Sequence, residues 1–161
     1  MANYIIANME EVTPLALEKL LAFSNGVNYA INGNALLDEE CQAWQHGYVY
    51  PDIYNKYKKY KYNPIDNGIR STHGCMLSKV LESEVKAIDI VIKTFGLYSP
   101  KTLELISHLQ TPWIEKRVGY GDDAPCSEAV DQKSIKKYFI ENRLNSEENI
   151  MSYIMNTLKC N

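Results

Sequence analysis

The sequence lacks the features that mark several large classes of protein. Its 161 residues contain 17 Lys and Arg against 20 Asp and Glu, a net charge of −3, so no excess of one sign recruits nucleic acid or an anionic membrane. Apolar residues make up 45% and charged residues 23%, which excludes a disordered charged tail, a collagen-like polymer and a bundle of membrane spans. These absences leave a folded domain of ordinary composition.

Neither a signal peptide nor a membrane anchor is recognisable at the N-terminus. Residues 1–11 have no basic start, and their longest apolar run is too short for a secretory or membrane-spanning segment. The sequence therefore predicts a cytoplasmic protein with no membrane partner.

Cysteine is scarce and widely spaced. The four cysteines are Cys41, Cys75, Cys126 and Cys160. None belongs to a Cys-x-x-Cys pair, so reduced thiols are expected in a cytoplasmic chain. Nitrogen and sulfur ligands suited to tetrahedral zinc are present at Cys41, His46, His73 and Cys75. Their spacing fits no standard zinc pattern, so the favoured interpretation is buried thiols and loop histidines, with no metal and no cofactor.

Standard catalytic motifs are also missing. The sequence contains no P-loop, no Gly-x-Gly-x-x-Gly, no His-Glu-x-x-His and no Gly-x-Ser-x-Gly. A Cys/His enzyme stays open as an alternative, because His73 and Cys75, or His108, could supply a nucleophile and a base. For His108 the favoured interpretation is structural, with the helix dipole or an exposed carbonyl stabilising a histidine at a helix end. No catalytic residue is assigned.

What the sequence does contain is a series of helix signals. Three pairs of a hydroxyl residue and a proline place an N-cap before the first helical position: Thr13-Pro14, Ser99-Pro100 and Thr111-Pro112. Apolar periodicity predicts further helices near residues 2–9, 52–60, 83–95, 131–142 and 147–159. The sequence predicts a mainly α fold, a single compact domain over residues 1–161. These eight candidate segments are expected to form six or seven helices, with one or two short extended segments around residues 35–50.

The helix predicted from Pro14 to about Ile31 is the longest. An apolar stripe runs along one face, and four polar residues fall elsewhere: Glu18, Lys19, Asn25 and Asn28. Gly26 lowers helix stability, so its presence indicates close packing of another element.

Phenylalanine and tryptophan are scarce in this sequence, but tyrosine is abundant, with 12 Tyr against 3 Phe and 2 Trp. Half of the tyrosines lie in residues 48–62, together with four lysines and one acid. Aromatics interleaved with lysines occur on surfaces that bind single-stranded nucleic acid. Here Tyr54, Tyr57 and Tyr60 share a helical face and the lysines lie outside it, which favours a core-facing helix with a partner surface over nucleic-acid binding.

Three ordered motifs carry a family resemblance. Residues 13–23 contain Thr-Pro-Leu followed by Lys-Leu-Leu-x-Phe, and residues 43–54 read Ala-Trp-x-x-Gly-x-Val-x-Pro-x-x-Tyr. A helix ending in His108 is then followed by Pro112-Trp113. Over residues 3–118 this order resembles the SocA-like, Panacea-domain antitoxin family of phage-associated proteins, in which a proline occupies the place of Tyr48. Residues 119–161, a loop and C-terminal helices, lie outside the resemblance.

The resemblance implies a mainly helical cytoplasmic domain that neutralises a cognate protein toxin by direct binding, without catalysis or a cofactor. The toxin is expected to be encoded next to this chain, in a prophage or another mobile element. A phage-encoded inhibitor or adaptor that binds a host defence or protease component would use the same kind of surface and stays open as an alternative.

Two sets of residues follow from the motifs and their neighbours. Expected structural positions are Pro14, Lys19, Gly47, Pro51, His108, Pro112 and Trp113. Trp113 is expected in the core, with its indole N–H bonded to His108 or to a helix-end carbonyl. Expected partner contacts are Trp44, His46, Tyr48, Tyr50, Tyr54 and Tyr62, because amphipathic aromatics suit surfaces that bind as well as pack.

Overall fold

The computed structural model describes residues 1–66 and 81–159. The helices are α1 (Ala2–Asn8), α2 (Pro14–Asn32), α3 (Pro51–Tyr57), α4 (Glu82–Thr94), α5 (Pro100–His108), α6 (Thr111–Lys116), α7 (Gln132–Glu141) and α8 (Glu147–Lys159). The strands are β1 (Gln42–Trp44) and β2 (Gly47–Val49), and 3₁₀ turns span Lys58–Tyr60 and Phe95–Leu97. The mainly α fold is confirmed. Two of the helices, α1 and α6, are only seven and six residues long, and the described residues contain eight helices where six or seven were predicted.

Local capping explains where the helices begin. The Thr13 hydroxyl accepts a hydrogen bond from the Ala16 N–H at 3.3 Å, and the Ser99 hydroxyl accepts one from the Thr102 N–H at 3.1 Å. Both hydroxyl-proline predictions are therefore confirmed. The third pair differs, because the N-cap of α6 is Gln110 and Thr111 is already helical.

Helix α2 is the centre of the fold, and it is buried on nearly all sides. Every residue from Ala16 to Tyr29 is buried, including the polar side chains that the apolar stripe left outside: Glu18, Lys19, Ser24, Asn25 and Asn28. The expectation of a helix with a single apolar face is wrong, because α4, α5, α7 and the hairpin surround α2. The predicted close packing at Gly26 is confirmed, since a Cβ there would overlap the ring of Phe139 on α7.

The extended segments form a two-stranded antiparallel hairpin. Gln42 pairs with Val49, Ala43 with Tyr48 and Trp44 with Gly47, so Gln45 and His46 form the turn. Residues 128–130 run along the other side of β1, where Ala43 N–H donates to Glu128 O at 2.9 Å and Val130 N–H donates to Cys41 O at 2.8 Å. The prediction of short extended pieces within residues 35–50 is confirmed.

Helix α3 starts directly after the hairpin. Pro51 occupies its first turn, and Tyr57 is its buried aromatic residue. The helix ends at Tyr57, and the predicted continuation to Tyr60 is a 3₁₀ turn. Residues 67–80, which include His73 and Cys75, lie outside the described residues.

The apolar core runs along α2 and between the helices that surround it. Phe23 packs against Phe95 with ring centroids 4.3 Å apart, and Ile150 and Ile154 of α8 are fully buried. Arg117 orders the loop after α6 by donating to the carbonyl oxygens of Gly121, Asp122 and Ala124. Among the described helices, none combines the length and hydropathy needed to cross a bilayer.

Candidate functional site

A buried lysine of α2 binds the backbone of the hairpin. Lys19 is fully buried, and its ammonium donates a hydrogen bond to Tyr48 O on β2 at 2.7 Å. Burial lowers the pKa of Lys19, and the neighbouring Glu18 carboxylate opposes that change. A buried ammonium is costly unless it is paired, so this bond fixes β2 to α2.

The adjacent residue of α2 fixes the end of the same strand. The Glu18 carboxylate accepts a hydrogen bond from Tyr50 N–H at 2.8 Å, where the chain leaves β2 and enters α3. Burial raises the pKa of Glu18, while the Tyr50 N–H and Lys19 favour the carboxylate. Two consecutive buried residues of opposite charge therefore bind two backbone groups of the hairpin that lie two residues apart.

Gly47 allows the hairpin to approach these side chains. Its φ of +97° lies in the left-handed region, where glycine has no steric penalty. A Cβ at this position would overlap Ser107 Oγ of α5 and lie 2.7 Å from Lys19 Cε. Both the backbone conformation and the available space therefore require glycine.

The end of β1 is held by an aromatic pair, His108 at the end of α5 and Trp113 in α6. The Trp113 indole N–H donates to Trp44 O at 3.0 Å, and His108 stacks on Trp113 with ring centroids 4.1 Å apart and an angle of 15°. Trp113 is half-buried against the core and not inside it, and its acceptor is neither His108 nor a helix end. The stacked His108 and Trp113 rings thus anchor the turn end of the hairpin, whereas Glu18 holds its open end.

His108 has a structural contact with Trp113, but the helix-dipole stabilisation expected as one of its two structural roles is not favoured. Burial lowers its pKa, and the charges of Lys19 and Lys101 act in the same direction against Glu104. At neutral pH it is therefore an uncharged ring stacked on an indole, and not a cation stabilised by the helix dipole.

A second polar cluster lies at the hairpin turn. Glu104 of α5 is buried, with its Oε1 atom 3.1 Å from His46 Nδ1 and 3.0 Å from Lys101 Nζ. Burial raises the pKa of Glu104, but the hydrogen bonds from His46 and Lys101 outweigh it and the net pKa lies below the usual value. The His46 side chain keeps 61% of its surface exposed, so this cluster connects the interior to solvent.

We call Glu18, Lys19, Ser107 and Trp113 the hairpin cradle. Its four side chains come from α2, α5 and α6 and surround residues 42–50. The polar groups of the cradle form hydrogen bonds with backbone groups. The cradle therefore holds the hairpin in a fixed position and leaves its turn exposed to solvent. In the described parts of the chain, no three His, Cys, Asp or Glu residues are placed to hold a metal ion.

Cys41 is not arranged as a nucleophile. Its side chain is buried, and burial raises the pKa of the thiol to about 12, which keeps it protonated at neutral pH. His46 of the zinc alternative is exposed at the hairpin turn, whereas Cys41 is buried before β1. His73 and Cys75 lie outside the described residues.

Two of the predicted partner contacts are core residues. Tyr48 is 2% exposed and Tyr50 is 0% exposed, with both rings packed in the main apolar cluster. Their selection as binding residues is corrected, because their side chains face inward from the hairpin toward α2. Burial also raises the pKa of both hydroxyls well above the usual value.

The remaining predicted contacts lie on one side of the hairpin and beyond it. Trp44 is half-buried and packs edge-on against Tyr54 of α3 with centroids 4.9 Å apart. His46 is exposed at the turn, and Tyr62 is 92% exposed after the 3₁₀ turn. The structure thus brings Trp44 and Tyr54 into contact, and it places His46 at the hairpin turn and Tyr62 after the 3₁₀ turn.

The motif prolines have local roles, and two glutamates were missed. Pro14 and Pro51 begin α2 and α3, and Pro112 is the buried second residue of α6. Sequence reasoning did not select Glu18 or Glu104. The only local signal for Glu104 is Lys101, three residues earlier on the same helix, because His46 is 58 residues away.

The fold and the cradle together define a mainly α-helical domain in which buried charges of the central helix hold a two-stranded hairpin. The chain belongs to the antitoxin SocA-like, Panacea domain family, whose family model matches residues 17–114. It is 29% identical over 135 residues to antitoxin SocA of Caulobacter vibrioides (strain NA1000 / CB15N). The aligned segment covers 80% of this chain and 72% of that protein. No solved structure gives a significant match.

Proposed function

We propose that this chain is a noncatalytic antitoxin that acts in the cytoplasm by binding a cognate protein toxin directly. The observation that carries the proposal is the family membership, since the matched segment contains the whole hairpin cradle. The similar protein is itself named an antitoxin. An antitoxin role needs a stable surface for a partner rather than a reaction centre.

The use of the motif residues supports the noncatalytic part. Lys19 and Trp113 donate hydrogen bonds to backbone carbonyls of the hairpin, and Gly47 leaves the space that Lys19 and Ser107 occupy. A catalytic group must reach a substrate, whereas these groups are directed at backbone atoms of the same chain. The motif then builds a scaffold, and partner recognition falls to side chains on its surface.

The partner-binding surface in this proposal includes the outer side of the hairpin. Trp44 and Tyr54 form an edge-on aromatic pair, and His46 is exposed at the hairpin turn, where it contacts the buried Glu104. Aromatic side chains on a rigid element are typical anchors of protein interfaces. The cradle fixes their backbone before the partner arrives, which reduces the entropy lost on binding.

The first test is co-expression with the product of the adjacent reading frame. That product is expected to stop growth when expressed alone, to be tolerated when this chain is present, and to co-purify with it. Growth arrest that persists in the presence of folded chain, with no complex formed, contradicts the proposal. Capture of a host defence or protease component in place of the neighbouring product would support the inhibitor or adaptor alternative.

A second test separates binding from catalysis. Increasing amounts of purified chain are added to a fixed amount of the purified toxin, and the remaining toxin activity is measured after a long incubation. Stoichiometric binding gives a sharp equivalence point at a fixed molar ratio that does not move with time. Loss of activity at much smaller amounts, growing with time, indicates turnover and contradicts the noncatalytic role.

A further inference from the structure

A cluster of exposed lysines lies at the end of α3. Four exposed lysines occur within six residues on α3, the 3₁₀ turn and the residue after it: Lys56, Lys58, Lys59 and Lys61. Of the carboxylates in residues 1–66 and 81–159, none forms an ion pair with these ammonium groups. We call these lysines together with Tyr62 the basic knob.

The charge of the knob contrasts with that of the rest of the chain. The four lysines of the knob carry a charge of +4, and all the other residues of the chain together carry −7, which gives the total of −3. The knob is thus a concentrated positive region on an otherwise acidic protein. Such an arrangement orients an approaching acidic surface toward the knob and repels it elsewhere.

The backbone of the knob is anchored at two points. Within it, Tyr57 is buried and its hydroxyl donates to Asn3 Oδ1 on α1 at 2.7 Å. After it, Ile65 is 1% exposed and its N–H donates to Val12 O at 2.8 Å. The lysines are therefore displayed on a fixed projection, which lowers the entropy cost of using them as a binding surface.

The knob also carries aromatic surface. The ammonium groups of Lys56, Lys58 and Lys59 lie 5.1 to 5.9 Å from the ring centroids of neighbouring tyrosines, which holds their stems along the surface. Tyr62 is 92% exposed, the most exposed large apolar residue among those described. A tyrosine beside lysines provides an anchor for the centre of an interface and not only charge.

We propose that the basic knob is the docking surface for an acidic patch on the protein toxin. This inference rests on the proposed function and adds the chemistry of the partner. A folded protein can concentrate its acidic groups opposite the knob and keep them away from the acidic remainder of this chain. A nucleic acid carries a continuous line of phosphates, and the net charge of −7 on the rest of this chain opposes its binding.

The test compares two variants that change net charge equally. The knob variant is Lys56→Gln, Lys58→Gln, Lys59→Gln and Lys61→Gln. The matched control replaces four exposed lysines on α4, α7 and α8: Lys86→Gln, Lys133→Gln, Lys137→Gln and Lys159→Gln. Association with and dissociation from the co-encoded toxin are measured by stopped-flow fluorescence between low and physiological salt.

The expected result is an association rate constant about tenfold lower for the knob variant at low salt, with a weaker dependence on salt, while the control stays near the wild type. Equal effects of the two variants, or no effect of either, overturn the docking proposal but leave direct toxin binding intact. Absence of any complex with the wild-type chain contradicts the proposed function itself, and the docking proposal falls with it.

A separate arm tests nucleic acid as the occupant. Fluorescein-labelled oligothymidine is titrated with the wild type and both variants at about 0.15 M salt and followed by anisotropy. No binding that depends on the knob is expected. Binding that the knob variant loses and the control keeps would assign the knob to single-stranded nucleic acid and overturn the proposal.

Discussion

Lysine has opposite roles in two regions of this molecule. In the hairpin cradle, Lys19 is 0% exposed and its ammonium binds a backbone carbonyl. In the basic knob, four lysines are exposed and have no carboxylate partner within the described chain. The first region uses charge to fix the fold, and the second displays charge to solvent.

The comparison separates stability from recognition. A buried charge that loses its partner is strongly destabilising, because it cannot be solvated. An exposed charge contributes little to folding but steers association over long distances. Substitutions in the cradle should therefore change the free energy of unfolding, and substitutions in the knob should change partner binding alone.

The largest expected effect is that of Lys19→Met. The substitution leaves Tyr48 O without its donor and Glu18 without the adjacent cation, so the free energy of unfolding should fall by about 3–5 kcal/mol. Urea denaturation followed by circular dichroism measures this loss. Lys133→Met, at an exposed position of α7, should change stability by less than about 0.5 kcal/mol. Similar losses for the two variants would remove the distinction between buried and exposed lysines.

Gly47→Ala should lower stability by about 2–4 kcal/mol, since the new Cβ adds overlap with Ser107 to the strain of a positive φ. Gly119→Ala is a matched control, because Gly119 has a φ of +89° but no atom within 4 Å of a built Cβ. Its loss should be about 1–2 kcal/mol, the backbone part alone. Thermal melts of both variants provide the measurement, and equal losses would show that the cradle has room at Gly47.

The pH dependence of Glu18 should give a smaller effect. Burial raises the pKa of Glu18 from 4.5 to about 7, so the folded state binds this proton more tightly than the unfolded state. The contribution that the bound proton of Glu18 makes to the free energy of unfolding is fully present below pH 4.5, and it is lost as the pH rises through 7. Relative to Glu18→Gln, which keeps an acceptor for Tyr50 N–H, the wild type should lose roughly 1–3 kcal/mol over that interval. Urea titrations at several pH values test this, and a parallel response of both proteins would contradict it.

The smallest effect on stability is expected in the knob. Replacing its four lysines by glutamine should change the free energy of unfolding by less than about 0.5 kcal/mol, because the side chains are exposed and form no ion pair with a described carboxylate. The same variant is expected to slow toxin association. A large loss of stability would mean that the knob lysines, like Lys19 of the cradle, stabilise the fold. It would contradict the distinction between the two regions.

Helix boundaries were predictable because their causes are local. Thr13 and Ser99 cap helices through hydrogen bonds to residues three positions ahead, and a window of a few residues contains both partners. Thr111 gave the same signal, yet the helix begins one residue earlier, with Gln110 as N-cap. The error is small, since the preceding α5 ends at His108 and leaves only a short connection.

The burial of α2 was not predictable from its periodicity. Lys19 and Glu18 read as polar residues off the apolar stripe, and only the hairpin backbone, about 30 residues later, satisfies them. The prediction that Tyr48 and Tyr50 contact a partner failed for the same reason. Their inward orientation depends on the register of the hairpin against α2 and not on any helical period.

The pairing of residues 128–130 with β1 has a consequence for expressing parts of the chain. Those residues lie beyond the segment 17–114 that the family model matches, yet they bind the backbone of Cys41 and Ala43. A fragment that stopped near residue 118 would leave β1 as an open edge strand, the kind of edge at which sheets of separate molecules join and aggregate. The unit that keeps the hairpin paired on both sides is therefore longer than the segment that defines the family.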